Sequence, residues 1–207
     1  GEEDITQNVG TSDRFGDVVE VIPMTQWWIE VNKVIPGRGQ SLKDLMRAAV
    51  TTGLGGDANQ KVTITPDRFT KVYLNWIDHL RDWCISRQIW WGHRIPVWYR
   101  DEETMVSVEP PAGDGWQQDE DTLDTWFSSG LWTFSTLGWP QATADLKNFH
   151  PTAWMQMGYE LVFFWMARMI LMSSYGLKQV PFKDVYIHGL VRDEHGRKFS
   201  KSLGNGR

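Results

Sequence analysis

Apolar residues in this chain follow two periodicities, and the switch between them outlines the elements. From Ser41 to Val50 they recur at Leu42, Leu45, Met46 and Ala49, the spacing of one helix face, with Ser41 as N-cap and Gly53 as terminator. Lys61-Val62-Thr63-Ile64-Thr65 alternates and predicts a strand. Thr65-Pro66-Asp67-Arg68 then predicts the start of a long helix, with Thr65 as N-cap, proline in the first position and an acid in the first turn. Phe69, Val72, Tyr73, Trp76, Ile77, Leu80 and Trp83 form its apolar stripe, Gly92 breaks helical structure, and Ile95 to Tyr99 is a strand. Residues 100–118 read as a small polar hairpin insertion, and Asp121 to Gly130 as a turn into a helix from Leu131 to Leu137. Gly158-Tyr159-Glu160 opens a helix from Leu161 to Tyr175 that is apolar on nearly every face and therefore buried. Lys183 to Ile187 is the closing strand. The first 20 residues carry only short β-prone pieces between turns, and Trp27 to Val31 reads as a further strand.

Helices alternating with strands through the second half predict an α/β fold with a parallel sheet and right-handed crossovers. Such sheets gather ligands at the carboxyl ends of their strands. That rule points to the turn at Asp121–Gly130. A second stretch of interest follows Val185-Tyr186-Ile187. There the chain runs through His188-Gly189, turns at His195-Gly196, and enters Lys198-Phe199-Ser200-Lys201-Ser202. Lysines supply charge, while hydroxyls and backbone N–H groups supply hydrogen bonds, so this loop suits a mobile anion. A solvated basic loop is the plain alternative.

Composition narrows the picture. With 41% hydrophobic and 23% charged residues, the chain has the balance of a globular protein. No run is long enough for a membrane-spanning helix: Leu161 to Met172 is too short and is interrupted by Arg168. The acidic start, Gly1-Glu2-Glu3-Asp4, does not resemble a signal peptide. The single cysteine, Cys84, excludes an intramolecular disulfide and a Cys-based zinc site, and fits a reducing cytoplasm. The histidines lack the i, i+4 spacing of a helical metal site, so no protein-held metal is expected. A net charge of −5 argues against a protein that coats nucleic acid. Yet residues 180–207 hold six Lys/Arg against three acids, which suits a focused anion site. Most of the 13 tryptophans belong to the core, leaving a few to line a pocket. For Arg87, pairing with an acid outweighs substrate binding.

Four segments, taken in order, carry a resemblance. They are Asp82-Trp83-Cys84-Ile85-Ser86-Arg87-Gln88-Ile89-Trp90-Trp91-Gly92-His93-Arg94-Ile95-Pro96, Leu123-Asp124-Thr125-Trp126-Phe127-Ser128-Ser129-Gly130-Leu131-Trp132, Gly158-Tyr159-Glu160-Leu161-Val162-Phe163-Phe164-Trp165, and the stretch from His188 to Ser202. Together they resemble the valyl-tRNA synthetases, class I aminoacyl-tRNA synthetases. Lys198-Phe199-Ser200-Lys201-Ser202 is similar to the family's KMSKS motif, with Phe199 keeping the apolar character of the methionine. The resemblance covers roughly residues 18–207. It implies a partial Rossmann-type parallel sheet with flanking helices and a small β-rich N-terminal linker. Residues 1–35 would be a connector from an editing insertion, and 36–207 the second half of a catalytic domain. The family's His-x-Gly-His element, editing domain, anticodon-binding domain and C-terminal coiled coil have no counterpart in this sequence.

The activity so implied is ATP-dependent attachment of valine to its tRNA through valyl-adenylate. ATP and its Mg2+ are the expected cofactors; valine, ATP, tRNA and the rest of the synthetase are the expected partners, with no membrane and a cytoplasmic location. The resemblance makes Lys198, Ser200, Lys201 and Ser202 catalytic, with Lys201 most directly on the leaving pyrophosphate. His188, Gly189 and Lys201 would hold the ATP, and Trp126, Glu160, Leu161 and Trp165 would form the amino-acid pocket. The chemistry is an in-line attack on phosphorus, in which the protein supplies position and charge. Holding half the site, the chain is expected to be inactive alone. The alternatives are a non-catalytic RNA- or protein-binding module, or a fragment of an isoleucyl or leucyl relative.

Overall fold

The computed structural model describes residues 8–12, 16–201 and 203–206. Among the described residues up to 35, regular structure is limited to antiparallel bridges of Thr11 with Val18 and of Val34 with Ser41, and to the two-residue strand β1 (Trp28–Ile29). Helix α1 (Leu42–Val50) follows, because a reciprocal capping box closes its first turn. Ser41 Oγ accepts from the Asp44 N–H at 3.1 Å, and the Asp44 carboxylate accepts from the Ser41 N–H at 2.8 Å. The helix leaves through Thr51, and the Gly53 N–H returns to the Ala48 carbonyl. Gly53 has φ +85°, and a Cβ there would lie 1.9 Å from the Asp57 carbonyl oxygen, so only glycine serves.

Strand β2 (Thr63–Thr65) and helix α2 (Arg68–Asp78) revise the expected junction. Thr65 stays in the strand and Pro66 in the turn, and Asp67, without a side-chain cap bond, becomes the N-cap. The helix is also shorter than its apolar stripe. Tyr73 and Ile77 are its buried residues, whereas Trp83 lies in strand β3 (Trp83–Cys84), which pairs antiparallel with β1. Strand β4 (Ser86–Arg87) follows directly, so no helix precedes Gly92. Gly92 instead packs on Thr122, where an added Cβ would lie 3.0 Å from the threonine Cβ.

The insertion near 100–118 is a small antiparallel sheet. Strand β5 (Val97–Arg100) lies between β6 (Glu103–Val106) and β7 (Gln117–Gln118). Strand β8 (Thr122–Leu123) pairs antiparallel with β4, so the turn after it does not lie at the end of a parallel strand as expected. Helix α3 (Thr125–Gly130) begins earlier than expected because Asp124 caps it, and α4 (Trp132–Ser135) follows past Leu131. After α5 (Ala144–Phe149) come β9 (Thr152–Gly158), α6 (Ala167–Gly176) and β10 (Phe182–His188). Between β9 and α6, one uniform helix is replaced by a 3-10 turn (Tyr159–Leu161) and a π turn (Val162–Met166). The wider π turn keeps Val162 and Met166 buried while Phe164 faces outward.

The main sheet is parallel, in the order β2-β10-β9, so the last strand in sequence is the central one. Val185 sits in register between Ile64 and Met155, and Ile187 faces Met157. These side chains form one buried face, continuous with Met46, Tyr73, Ile77, Met166, Met169 and Ile170 of the helices. Because side chains alternate along a strand, Asp184, Tyr186, Trp154 and Gln156 lie on the opposite face and are exposed. No helix is long and apolar enough to cross a membrane.

Candidate active site

Strands β9 and β10 end together, with His188 in register with Gly158. Everything that follows either strand therefore starts from the same carboxyl edge. From β9 the chain bends at once into the 3-10 turn that carries Tyr159, Glu160 and Leu161. At Gly158 an added Cβ would lie 2.3 Å from Glu160 Oε2 and 2.8 Å from Leu190 Cδ2, so both side-chain ends would have to move to admit one.

From β10 the chain passes through His188, whose Nδ1 lies 2.6 Å from the Gly189 carbonyl oxygen. A Cβ at Gly189 would meet nothing within 4 Å, so none of the described residues demands glycine there. A small hairpin follows: Arg192 bridges Lys198, the Asp193 N–H donates to the Arg197 carbonyl, and Gly196 turns the tip with φ +74°. Leu203 and Gly204 then turn back, their N–H groups donating to the Ser200 carbonyl. The Lys201 side chain is exposed, and Ser202 lies outside the described residues.

Two contacts bring this loop onto the β9 turn. Lys198 Nζ lies 2.9 Å from Glu160 Oε1, and Arg192 Nη2 donates to Tyr159 Oη at 2.8 Å. Burial alone would raise the Glu160 carboxyl. The Lys198 hydrogen bond, the Glu160 N–H and the nearby charges of Lys198 and His188 outweigh it and hold the group below its ordinary value. Lys198, Glu160 and His188 are thus gathered in one place.

The two tryptophans sit on facing elements with different partners. Trp126, on α3, stacks on Phe164 with ring centroids 5.5 Å apart. Trp165 donates its indole N–H to the Ser129 carbonyl at 3.0 Å and meets Trp132 edge-on at 5.8 Å. Leu161 is partly buried against the core.

Residues that the sequence did not single out organise both regions. Asp193 accepts from the N–H groups of His195 and Arg197, from Arg197 Nε and from Asn205 Nδ2. The Asn205 bond, followed by those from Arg197, draws its pKa down to about 2. Asp124 is buried; its Oδ1 accepts from the Trp126 N–H, and its Oδ2 accepts from Trp83 Nε1 at 3.0 Å and pairs with Arg87 at 2.9 Å. Arg87 thus finds its acid. Arg168 lies over the Trp83 ring, 3.8 Å from its centroid, and burial lowers its pKa to about 10 against the opposing pull of Asp124. Among the described residues, no group of three or more His, Cys, Asp or Glu is placed to hold a metal.

Known proteins share this arrangement of sequence. Residues 14–114 and 110–207 match the family described as tRNA synthetases class I (I, L, M and V). The chain is 50% identical over 208 residues to a valine–tRNA ligase of Oceanobacillus iheyensis and 51% identical over 208 residues to that of Bacillus subtilis. Each alignment covers 99% of this chain and 22% of the relative. The Clostridium acetobutylicum valine–tRNA ligase is 47% identical over 207 residues, covering 96% of this chain and 22% of the relative. The chain therefore spans about a fifth of the length of these relatives. In fold it is similar to Mycobacterium tuberculosis methionyl-tRNA synthetase in complex with methionyl-adenylate, at TM-score 0.61 and 15% identity, covering 95% of this chain and 32% of that one. The ternary complex of Agrobacterium radiobacter K84 agnB2 LeuRS with tRNA and LeuAMS gives TM-score 0.51 and 24% identity, covering 61% of this chain and 21% of that one. With its parallel sheet, its lysine loop and a family match that runs nearly end to end, the chain belongs to the class I tRNA synthetases of the I, L, M and V group.

Proposed function

We propose that this chain contributes half of the active site of a valine–tRNA ligase, which forms valyl-adenylate from valine and ATP and passes the valyl group to tRNA. The observation that carries this reading is the meeting of Lys198, Glu160 and His188 at the shared carboxyl edge of β9 and β10. Identities of 47–51% to valine–tRNA ligases favour valine among the amino acids of the group.

In this reading Lys198 and Lys201 stabilise the negative charge that builds on the leaving pyrophosphate, with Ser200 and Ser202 setting the loop. His188 and Gly189 lie against the adenosine, and the open space at Gly189 leaves room for a base to approach. Trp126, Leu161 and Trp165 bound the valine side chain, and Glu160 accepts from a polar donor of the substrate. Magnesium arrives with ATP, held by its phosphates. An apolar pocket rejects an isosteric hydroxyl only weakly, so editing falls to another part of the complete ligase.

Valine-dependent ATP–pyrophosphate exchange tests the assignment. A full-length ligase carrying this segment exchanges with valine in preference to leucine or isoleucine. The 207-residue chain alone does not exchange, and Lys201→Ala in the ligase lowers the rate by about 100-fold, the size of effect expected for one charge-stabilising group. Exchange by the chain alone, or a preference for leucine or isoleucine, overturns it.

A further inference from the structure

Glu160 offers its carboxylate asymmetrically. Oε2 is shielded from solvent, lies beside Gly158, and makes no hydrogen bond among the described residues. Oε1 carries the ion pair with Lys198 Nζ, at 2.9 Å. A substrate donor recruited to Glu160 therefore meets Lys198 at the same oxygen. The pair is built to exchange: the Lys198 side chain is 56% exposed and that of Glu160 32%, and ion pairs in such contact with water are weak. Release of Lys198 also leaves the loop in place. Arg192 donates to both Tyr159 Oη at 2.8 Å and the Gly196 carbonyl at 2.7 Å, fastening the base of the hairpin to the β9 turn.

We propose that Glu160 is a positioning residue for the lysine loop: it holds Lys198 away from the phosphate site until a hydrogen-bond donor of the bound substrate takes its place. The shared chemistry is an uncharged or cationic donor on a carboxylate, supplied either by the ammonium of the amino acid or by the ribose hydroxyls of the nucleotide. The exchange then couples occupancy of the site to delivery of a cation to the phosphates. This rests on the synthetase reading and adds to it a competition that a static pocket lacks.

Calorimetric titration of a full-length ligase carrying this segment with valine alone, and separately with adenosine alone, tests it. Neither ligand carries phosphate, so loss of a phosphate-binding lysine by itself weakens neither. Lys198→Met removes the competitor and tightens one of the two ligands by threefold or more; valine identifies the ammonium, adenosine the ribose. Glu160→Gln weakens that ligand, and Lys198→Met added to it gives no further tightening. Unchanged or weaker binding of both ligands by Lys198→Met overturns the exchange while leaving the synthetase reading intact. Failure of the unmodified ligase to bind either ligand overturns the synthetase reading, and the exchange with it.

Discussion

Asn205 Nδ2 donates to Asp193 Oδ2 at 2.7 Å, joining the end of the lysine loop to its beginning. The same amide donates to the Lys198 carbonyl at 3.2 Å and accepts from the Ser200 N–H at 2.9 Å. One side chain thus braces the first lysine, the serine and the hairpin that presents them. Asn205→Ala removes all three bonds. Because the loop is exposed and adds little to the core, the melting temperature moves by no more than about 2 °C, while tryptic cleavage within residues 197–201 rises about tenfold. Asn205→Asp keeps the acceptor for Ser200 but sets a second carboxylate against Asp193, and at neutral pH it loosens the loop as much as alanine does. Cleavage at the unmodified rate in both variants would show that the amide does not brace the loop.

Asp193 gives that loop an acid limit. Its pKa is drawn down to about 2 by the Asn205 amide and by Arg197. A carboxylate whose pKa is depressed on folding stabilises the folded loop fully above its unfolded value, near 3.9, and loses that contribution as the pH falls through about 2. The amide proton shifts of His195 and Arg197, which donate to this carboxylate, should therefore hold steady from pH 7 to about 4 and move together with a midpoint near 2. Asp193→Asn abolishes the transition. A midpoint near the ordinary value of about 4 would mean that the bonds are not persistent in solution.

Asp124 holds Trp126 in place from behind. Its two oxygens cap α3 through the Trp126 N–H and tie Trp83 and Arg87 to the same point. Asp124→Ala deletes the cap and leaves a buried indole N–H and a half-buried guanidinium without their acceptor. The cap accounts for about 1 kcal/mol, and the buried partners add about 1–3 kcal/mol. Asp124→Asn keeps a single acceptor oxygen, enough for the cap or for the indole but not for both, and so loses less than the alanine variant without restoring the full set. Urea denaturation of the three proteins checks the order. In the full-length ligase, the asparagine variant is expected to raise KM for valine more than KM for ATP, because the proposed site sets Trp126 against the valine side chain.

How much of this was legible beforehand differs from element to element. Helix α1 was, since Ser41 and Asp44 satisfy its first turn locally and the apolar spacing follows. Strand β10 was, because Val185 and Ile187 alternate with Asp184 and Tyr186. Trp83 was misplaced because its spacing continues the stripe of α2, whereas pairing of Cys84 with Trp28, more than fifty residues away, draws it into a strand. Periodicity cannot register such a partner. The turn at Asp124 was expected at the end of a parallel strand for the same reason: its antiparallel pairing with β4 is a property of distant residues. Within the site, the lysines announced themselves by charge. Asn205 and Asp193 did not, since an amide and an acid in a glycine-rich loop look like turn formers until their shared bond is seen.

The open face of the parallel sheet yields a final prediction. Trp154 on β9 is 58% exposed and Tyr186 on β10 43% exposed, on the face opposite the buried row of Val185 and Ile187. Large aromatics left open on a sheet favour association with another apolar surface. The 207-residue chain alone should therefore self-associate with rising concentration. Replacing both residues by lysine reduces that association and changes the melting temperature by no more than about 2 °C, since neither side chain is buried within the chain. Ile187→Ala, on the covered face, acts in the opposite sense. It leaves a cavity costing about 2–4 kcal/mol and does not relieve association. Sedimentation velocity paired with thermal melts separates the two effects. A chain that stays monomeric at high concentration with both aromatics in place would show that this face is sufficiently covered by the chain itself.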